Sequence, residues 1–161
     1  MIVKLAKWRI REVRIENTNL CNSNCIMCPR EKMTRKKGIM PFSLFKKILD
    51  ECAYLRIKSV HVHGYGEPLL DPGIFEKIRY AKSKGIPNVS MFTNASLMNV
   101  DISRKILASG LDGLGISHYA FTRGTFEKIH RGLDFSLTRN NIIRFFKLRA
   151  ELKRRIILFL V

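Results

Sequence analysis

The chain has 161 residues, a length that suits one domain, and its apolar fraction of 46% is ordinary for a globular protein. No apolar run approaches the roughly 20 residues of a transmembrane helix, so we expect no membrane span. The net charge of +17, from 30 Lys and Arg against 13 Asp and Glu, would attract a polyanion such as RNA, although the basic residues are spread along the chain as on an ordinary solvated surface.

Predicted strands and helices alternate along the chain. The strands, recognised by short apolar or alternating runs, cover residues 13–16, 59–63, 88–92, 111–117 and 155–161. The helices, recognised by apolar residues three or four apart, begin at Pro41 and at the capping pair Asp71-Pro72 and then cover residues 101–109, 125–131 and 138–153. Cys52 falls on the apolar stripe of the first helix and is predicted to be a core residue.

This alternation predicts an α/β fold with a parallel sheet and helical crossovers. The strands show no polar face in the sequence, and five such strands suit a curved wall with outer helices. We therefore expect an incomplete (partial) TIM-like β/α barrel.

Three cysteines, Cys21, Cys25 and Cys28, stand close together after the first predicted strand. Such a trio can close around one soft metal centre, and without an obvious fourth cysteine it would leave one iron of an iron–sulfur cluster open to a small molecule. A buried helical stripe is disfavoured, because Asn, Ser and Asn between the first two cysteines favour turns. A zinc site completed by His61 or His63 is the second alternative. Disulfides are not expected, because no signal peptide is present and we place the protein in the cytoplasm, where thiols stay reduced.

Polar residues recur where the predicted strands end. The second strand runs into Gly64-Tyr65-Gly66-Glu67-Pro68, the third into Thr93-Asn94 and the fourth into Ser117-His118-Tyr119. Functional groups of parallel barrels lie at the carboxyl ends of the strands, which meet at one rim. We therefore expect these segments and the cysteines to share that rim.

These motifs resemble those of the radical S-adenosylmethionine (radical SAM) enzymes. Cys21-x3-Cys25-x2-Cys28 is similar to the cluster-binding signature of that family, the stretch from Gly64 to its glycine–glutamate–proline motif, and Thr93-Asn94 to its turn after the third strand. The resemblance covers about residues 11 to 161. The Cys-Pro-Arg ending and the Gly-Tyr-Gly-Glu-Pro variant are most similar to the branch that carries a C-terminal auxiliary iron–sulfur domain of the SPASM or twitch type.

The resemblance implies a cofactor chemistry. The three cysteines would bind three irons of a 4Fe-4S cluster, and S-adenosylmethionine would bind the open fourth iron. One electron from the cluster would cleave a carbon–sulfur bond, releasing methionine and a 5′-deoxyadenosyl radical that abstracts hydrogen from an unidentified substrate. The implied cofactor-binding residues are Met27, Gly64, Tyr65, Gly66, Glu67, Pro68, Asn94 and Ser117.

Physical reasons can be given for the assignments of Gly64, Gly66 and Glu67. Gly64 and Gly66 would let the backbone approach the methionine end of the cofactor, because a side chain would obstruct it. For Glu67, two roles are equally expected. Its carboxylate would either orient its own loop or contact the cofactor's amino group. The roles of His61 and His63 stay open.

The length of the chain raises a further expectation. The family barrel has six strands, whereas this chain stops on its fifth, and no auxiliary-cluster cysteines follow. We therefore predict a single core domain over residues 1–161 that lacks the last strand–helix unit and any auxiliary domain. The apolar edge at Leu158–Val161 invites pairing with another chain.

The implied partners are an electron donor such as a flavodoxin or ferredoxin and a second polypeptide that completes the barrel. Two alternatives to a radical SAM enzyme stay open. One is a truncated, non-catalytic fragment, and the other is a basic protein that binds zinc and nucleic acid. No catalytic residue is assigned, and the role of Tyr119 stays open.

Overall fold

In the computed structural model, which describes residues 10–161, five strands and five α-helices follow one another. The strands are β1 Glu12–Arg14, β2 Ser59–His61, β3 Asn88–Thr93, β4 Gly113–Ile116 and β5 Ile157–Leu160. The helices are α1 Phe42–Tyr54, α2 Ile74–Ser83, α3 Val100–Ala108, α4 Arg123–Ile129 and α5 Phe135–Glu151. Two single 3₁₀ turns, Pro29–Lys32 and Pro68–Leu70, were not predicted. The first nine residues of the predicted domain lie outside the described part.

All five strands lie side by side in one parallel sheet, in the order in which they occur along the chain. The predicted α/β fold with a parallel sheet is confirmed. Because every strand runs in the same direction, the carboxyl ends of all five meet at one rim. β1 and β5 form the two outer edges, so the sheet is open, as expected of an incomplete barrel.

One face of the sheet is buried under the helices. Val60, Val62, Val89, Met91 and Leu114 on this face are fully buried. They pack against apolar residues of α1, α2, α3 and α5, and Cys52 of α1 is among them, as predicted. Each fully buried side chain of this kind stabilises the fold by about 1.5–3 kcal/mol.

The opposite face of the sheet points away from the helices, and we call it the inner face. It is formed by Arg14, His61, His63, Ser90, Phe92, Gly113, Gly115, Ile157 and Phe159. The prediction that the strands lack a polar face is therefore wrong. β1 and β2 have three residues each, so each places only one or two side chains on a face, too few for a polar alternation to be recognised in the sequence.

A buried ion pair joins the segment after β1 to α2. The Asp71 carboxylate accepts from Lys77 Nζ at 2.6 Å and from Asn17 Nδ2 at 3.2 Å. Asp71 and Lys77 are each 2% exposed. α2 starts only at Ile74 with Gly73 as its N-cap, so the prediction that Asp71 caps it is wrong. The carboxylate holds the start of the cysteine loop instead.

Within residues 10–161, no helix is both long and apolar enough to cross a lipid bilayer.

Candidate functional site

A cavity of about 290 Å³ opens at the rim where the strands end. Its lining contains the three predicted cysteines and every predicted cofactor-binding residue except Pro68. Pro68 is buried as the first residue of a 3₁₀ turn. A larger cavity of about 790 Å³ lies at the amino ends of β1 and β2, but its lining holds no cysteine or histidine.

The cysteine loop is tied by its backbone to the end of α4. Asn24 N donates to Arg131 O at 2.8 Å, and Ile26 N donates to Ile129 O at 3.0 Å. Cys21, Cys25 and Cys28 are free and partly exposed. Burial raises the pKa of the Cys21 thiol. The loop is thus held in place by neighbours other than its own cysteines, which stay accessible from the cavity.

One cysteine has a close histidine neighbour. Cys25 Sγ lies 3.3 Å from His130 Nδ1 and 3.2 Å from Ser23 Oγ. His130 Nε2 lies 3.1 Å from the carbonyl oxygen of His118, which can only accept. The buried His130 ring stacks on Tyr119 at a centroid distance of 5.5 Å. Burial lowers the pKa of His130.

Sequence reasoning missed His130. Nothing in its local pattern marks it, because it follows α4 and lies 105 positions from Cys25. Only the fold brings it to the cavity.

The two glycines of the loop after β2 pack against the chain that precedes the cysteines. A Cβ at Gly64 would overlap the side chain of Glu16, and a Cβ at Gly66 would overlap the backbone of Thr18 and Leu20. Their missing side chains therefore leave room for the protein's own chain, and both glycines also line the cavity. Glu16 also accepts from Tyr65 N at 2.9 Å, which fixes the glycine-containing loop to this segment.

Glu67 joins the ends of β2 and β3. Its buried carboxylate accepts from Thr93 Oγ1 at 2.7 Å, from Asn94 N at 2.8 Å and from Leu69 N at 3.1 Å. Burial raises the pKa of Glu67, while these three hydrogen bonds lower it. With three donors from the protein, the carboxylate orients its own loop and that of β3.

Asn94 also bonds within the protein. Its Nδ2 donates to Asn22 Oδ1 at 3.0 Å, and its Oδ1 accepts from Ser96 Oγ at 2.7 Å. The next residue, Ala95, has a left-handed backbone with φ 60°. Asn141 of α5 holds that turn by donating to the carbonyls of Ala95 and Ser96 at 3.1 and 2.9 Å. The end of β3 thus braces the cysteine loop through Asn22.

The mouth of the cavity carries accessible side chains. Met27, Tyr65 and Tyr119 line it and are each about half exposed, at 52%, 49% and 46%. Ser117 lines it at the end of β4. Soft and aromatic groups of this kind suit the flat apolar part of a small molecule.

The cysteines fit a cluster better than a single ion. In the described part of the chain, no three His, Cys, Asp or Glu side chains approach closely enough to hold one metal ion. Neither His61 nor His63 is among the residues that line the cavity with the three cysteines. An iron–sulfur cluster instead takes its thiolates on different irons, which lets the sulfurs stand further apart.

Comparisons with known proteins agree with this geometry. The sequence profile described as "Radical SAM superfamily" matches residues 15–160. A probable GTP 3′,8-cyclase of Saccharolobus islandicus is 32% identical over 120 residues, which are 74% of this chain and 38% of that protein. An uncharacterised protein of Methanocaldococcus jannaschii is 36% identical over 130 residues, 80% of this chain and 41% of that one. The chain thus spans about two fifths of the length of these curated relatives.

The fold also matches solved structures. The crystal structure of Streptococcus suis SuiB bound to S-adenosylmethionine superposes with a TM-score of 0.75 at 18% identity, covering 92% of this chain and 33% of that one. BtrN in complex with AdoMet and 2-DOIA superposes with a TM-score of 0.65 at 16% identity, covering 94% of this chain and 56% of that one.

Proposed function

Because this chain belongs to the radical SAM superfamily, we propose that it binds a 4Fe-4S cluster through Cys21, Cys25 and Cys28, with S-adenosylmethionine at the open fourth iron. The observation that carries the proposal is the single cavity lined by all three free cysteines and by residues from the ends of β2, β3 and β4. When bound, the cluster and S-adenosylmethionine would supply reductive cleavage of a carbon–sulfur bond and a 5′-deoxyadenosyl radical for hydrogen abstraction.

The chain's own residues would bind the cluster and orient S-adenosylmethionine beside it. The three thiolates would hold the cluster, and the backbone bonds from the cysteine loop to Ile129 and Arg131 fix the loop. Glu67 keeps the loops after β2 and β3 together, so that Asn94 lies beside Asn22 of the cysteine loop. The side chains at the mouth would cover the adenosine part and exclude water.

Two partners are proposed: an electron donor for the reaction, and a chain segment that covers the open sheet edge. We propose that a flavodoxin or ferredoxin supplies the electron in the cytoplasm. Phe159 and Leu160 of β5 and the following Val161 are each about half exposed, and an unpaired apolar edge favours strand addition. A further chain segment or a second polypeptide would pair with β5 and complete the barrel.

Anaerobic reconstitution with iron and sulfide tests the proposal. We expect about four irons per chain, and loss of most of that iron in Cys21→Ala, Cys25→Ala and Cys28→Ala. Cys52→Ala is the matched control, since Cys52 lies in the core, and it should keep the cluster. Dithionite and S-adenosylmethionine should then release 5′-deoxyadenosine. Equal iron loss in the Cys52 variant, or zinc in place of iron after anaerobic isolation, would refute the assignment.

A further inference from the structure

The turns that lead into the strands meet at the rim opposite the cysteines. Because all five strands are parallel, each of these turns lies at the amino end of its strand. We call this surface the amino-terminal rim, and it consists of residues 10–11, 55–58, 84–87, 109–112 and 152–156. The fold thus gathers basic residues that lie far apart in the sequence.

The amino-terminal rim is strongly basic. Its exposed cations that form no ion pair with any residue between 10 and 161 are Arg11, Arg56, Lys58, Lys153, Arg154 and Arg155. Asp112 is the acidic residue of these turns, and it already pairs with Lys82 at 2.8 Å. Exposed Glu51 and Glu151, in the last turns of α1 and α5, offset only part of the charge. The rim is therefore positive at both ends, beside β1 and β2 and beside β5.

Two of these cations occupy positions that favour glycine. In four of the turns, the second residue after the helix has a left-handed backbone. After α2 and α3 this residue is glycine, Gly85 with φ 76° and Gly110 with φ 85°. After α1 and α5 it is Arg56 with φ 56° and Lys153 with φ 48°. A left-handed backbone costs these residues free energy that glycine avoids, so their side chains indicate a role outside the fold.

Two hollows open between the cations of the rim. The cavity of about 790 Å³ at β1 and β2 is lined by three of them: Arg11, Arg56 and Lys58. Tyr54 lines the same cavity and is 86% exposed. A second cavity, of about 690 Å³, lies beside the start of β5 and is lined by Arg149 and Arg155.

The second hollow contains an unsatisfied donor. Arg149 Nε is buried without a hydrogen-bond partner among the described residues. Guanidinium groups bind phosphate oxygens through paired hydrogen bonds, so arginines in concave walls suit a phosphate-bearing ligand.

Single-stranded RNA fits this rim better than a bilayer does. The five strands are about 4.8 Å apart, so the rim is roughly 20 Å wide and accommodates several nucleotides. A flexible strand follows concave walls, and its bases stack on exposed aromatic side chains such as Tyr54. A flat bilayer surface would contact protruding residues and reach into neither hollow. RNA rather than DNA ordinarily presents unpaired segments whose bases are free to stack.

We propose that the amino-terminal rim binds single-stranded RNA. Arg56 and Lys153 bind phosphates at the two ends of the rim, and Tyr54 stacks on a base. This surface lies at the opposite end of the strands from the cysteine-lined cavity, and it does not depend on the proposed function.

Fluorescence anisotropy with a fluorescein-labelled 12-nucleotide oligouridylate measures this binding on the full chain without iron or S-adenosylmethionine. The double variant with Arg56→Gly and Lys153→Gly should bind roughly 25-fold more weakly at low salt, about fivefold for each lost phosphate contact. The slope of log affinity against log salt concentration should become shallower by about 1.4, because each phosphate contact on a single strand contributes about 0.7. The same variant should melt about 2–4 °C higher, since glycine relieves the left-handed backbone.

Matched controls separate the rim from the general basic surface. The double variant with Lys36→Gln and Arg139→Gln removes the same charge from exposed positions away from the rim, and the affinity should change less than about twofold. Tyr54→Ala should weaken binding at least about fivefold without changing the salt slope. Phe121→Ala, which removes a side chain that is also 86% exposed, should leave the affinity unchanged.

Four outcomes would overturn the inference. The wild-type chain binds no RNA, or the charge control weakens binding as much as the rim variant does. The rim variant melts at a lower temperature, which would show that its two side chains serve the fold. The chain co-sediments with phosphatidylserine vesicles but does not bind the RNA, which would assign the rim to a membrane surface. Because no iron is present, these outcomes are independent of whether the cysteines bind a cluster.

Discussion

His130 Nδ1 lies 3.3 Å from Cys25 Sγ, although 105 positions separate the two residues. If Cys25 binds iron as a thiolate, its sulfur is an acceptor, and a proton on His130 Nδ1 would donate to it. A hydrogen bond to a ligand sulfur raises a cluster's reduction potential. We expect His130→Ala to lower the potential of the reconstituted cluster by about 20–60 mV, the equivalent of a bond worth 0.5–1.5 kcal/mol.

Redox titration followed by electron paramagnetic resonance measures this shift. Tyr119→Phe is the control, since Tyr119 stacks on the His130 ring without its hydroxyl taking part, and its potential should stay unchanged. An unchanged potential in the His130 variant would contradict the interaction.

Glu67→Gln should destabilise the fold. The carboxylate accepts three hydrogen bonds from buried or partly buried donors, and the amide of Gln would turn an NH₂ group towards at least one of them. We expect the free energy of unfolding to fall by about 1–3 kcal/mol in urea denaturation. Glu31→Gln serves as the control. Glu31 is half exposed, and its partner Arg30 keeps its hydrogen bonds to Ser23 O and Asn24 Oδ1 without it, so the change should cost less than about 1 kcal/mol. Equal losses would show that Glu67 does not join the two loops.

Acid should destabilise the protein through His63. Burial lowers the pKa of His63 to about 4 from 6.5, with smaller contributions from Arg14 and His61. Between these two pH values the unfolded chain binds a proton that the folded chain does not, so the free energy of unfolding falls as the pH falls. The full effect of this group is about 3 kcal/mol.

Urea titrations at several pH values between 7.5 and 4.5 measure that dependence. His63→Gln should lose less stability on acidification than the wild type. Some dependence will persist, because burial also lowers the pKa values of His118 and His130. A variant with the full wild-type slope would rule out His63 as a cause.

Gly115→Ala should displace Phe92. The added methyl group would overlap the Phe92 ring, and overpacking of this kind costs about 1–3 kcal/mol. Gly113→Ala is the matched control, because its methyl group would meet Ser90 Cβ at 3.2 Å and Phe159 Cε2 at 3.6 Å, which small shifts relieve. Gly113→Ala should lower the free energy of unfolding by less than Gly115→Ala does.

A double variant identifies the cause. In a Phe92→Ala background the added methyl group has no ring to meet, so Gly115→Ala should then cost almost nothing. If Gly115→Ala still lowers the free energy of unfolding in that background, Gly115 is required for its backbone conformation instead.

Local patterns in the sequence predicted the fold well. Strands and helices with clear periodicity, such as α1 with its Phe45 and Leu49 stripe, occur where expected. The gathering of the cysteines, the stretch from Gly64 to Glu67 and Asn94 around one cavity also follows from strand order, because parallel strands bring their carboxyl ends together.

Interactions between distant segments were not predictable in the same way. Gly64 and Gly66 have the right spacing for a ligand-binding loop, but their Cβ positions meet Glu16 and Thr18, which no local pattern reveals. His130 likewise reaches Cys25 only through the fold. The backbone at Ala95 is left-handed, a conformation that alanine disfavours, and Asn141, 46 positions later, holds it by donating to the Ala95 carbonyl.

The backbone bonds from Asn24 and Ile26 to Arg131 and Ile129 have a consequence for biosynthesis. A ribosome delivers the three thiols first, and His130, 105 positions after Cys25, only later. At about 5–20 residues per second, that interval lasts roughly 5 to 20 seconds. Throughout it the cysteine loop lacks the backbone partners that hold it in the folded chain. The loop can therefore reach its folded position only after residues 129–131 have been synthesised.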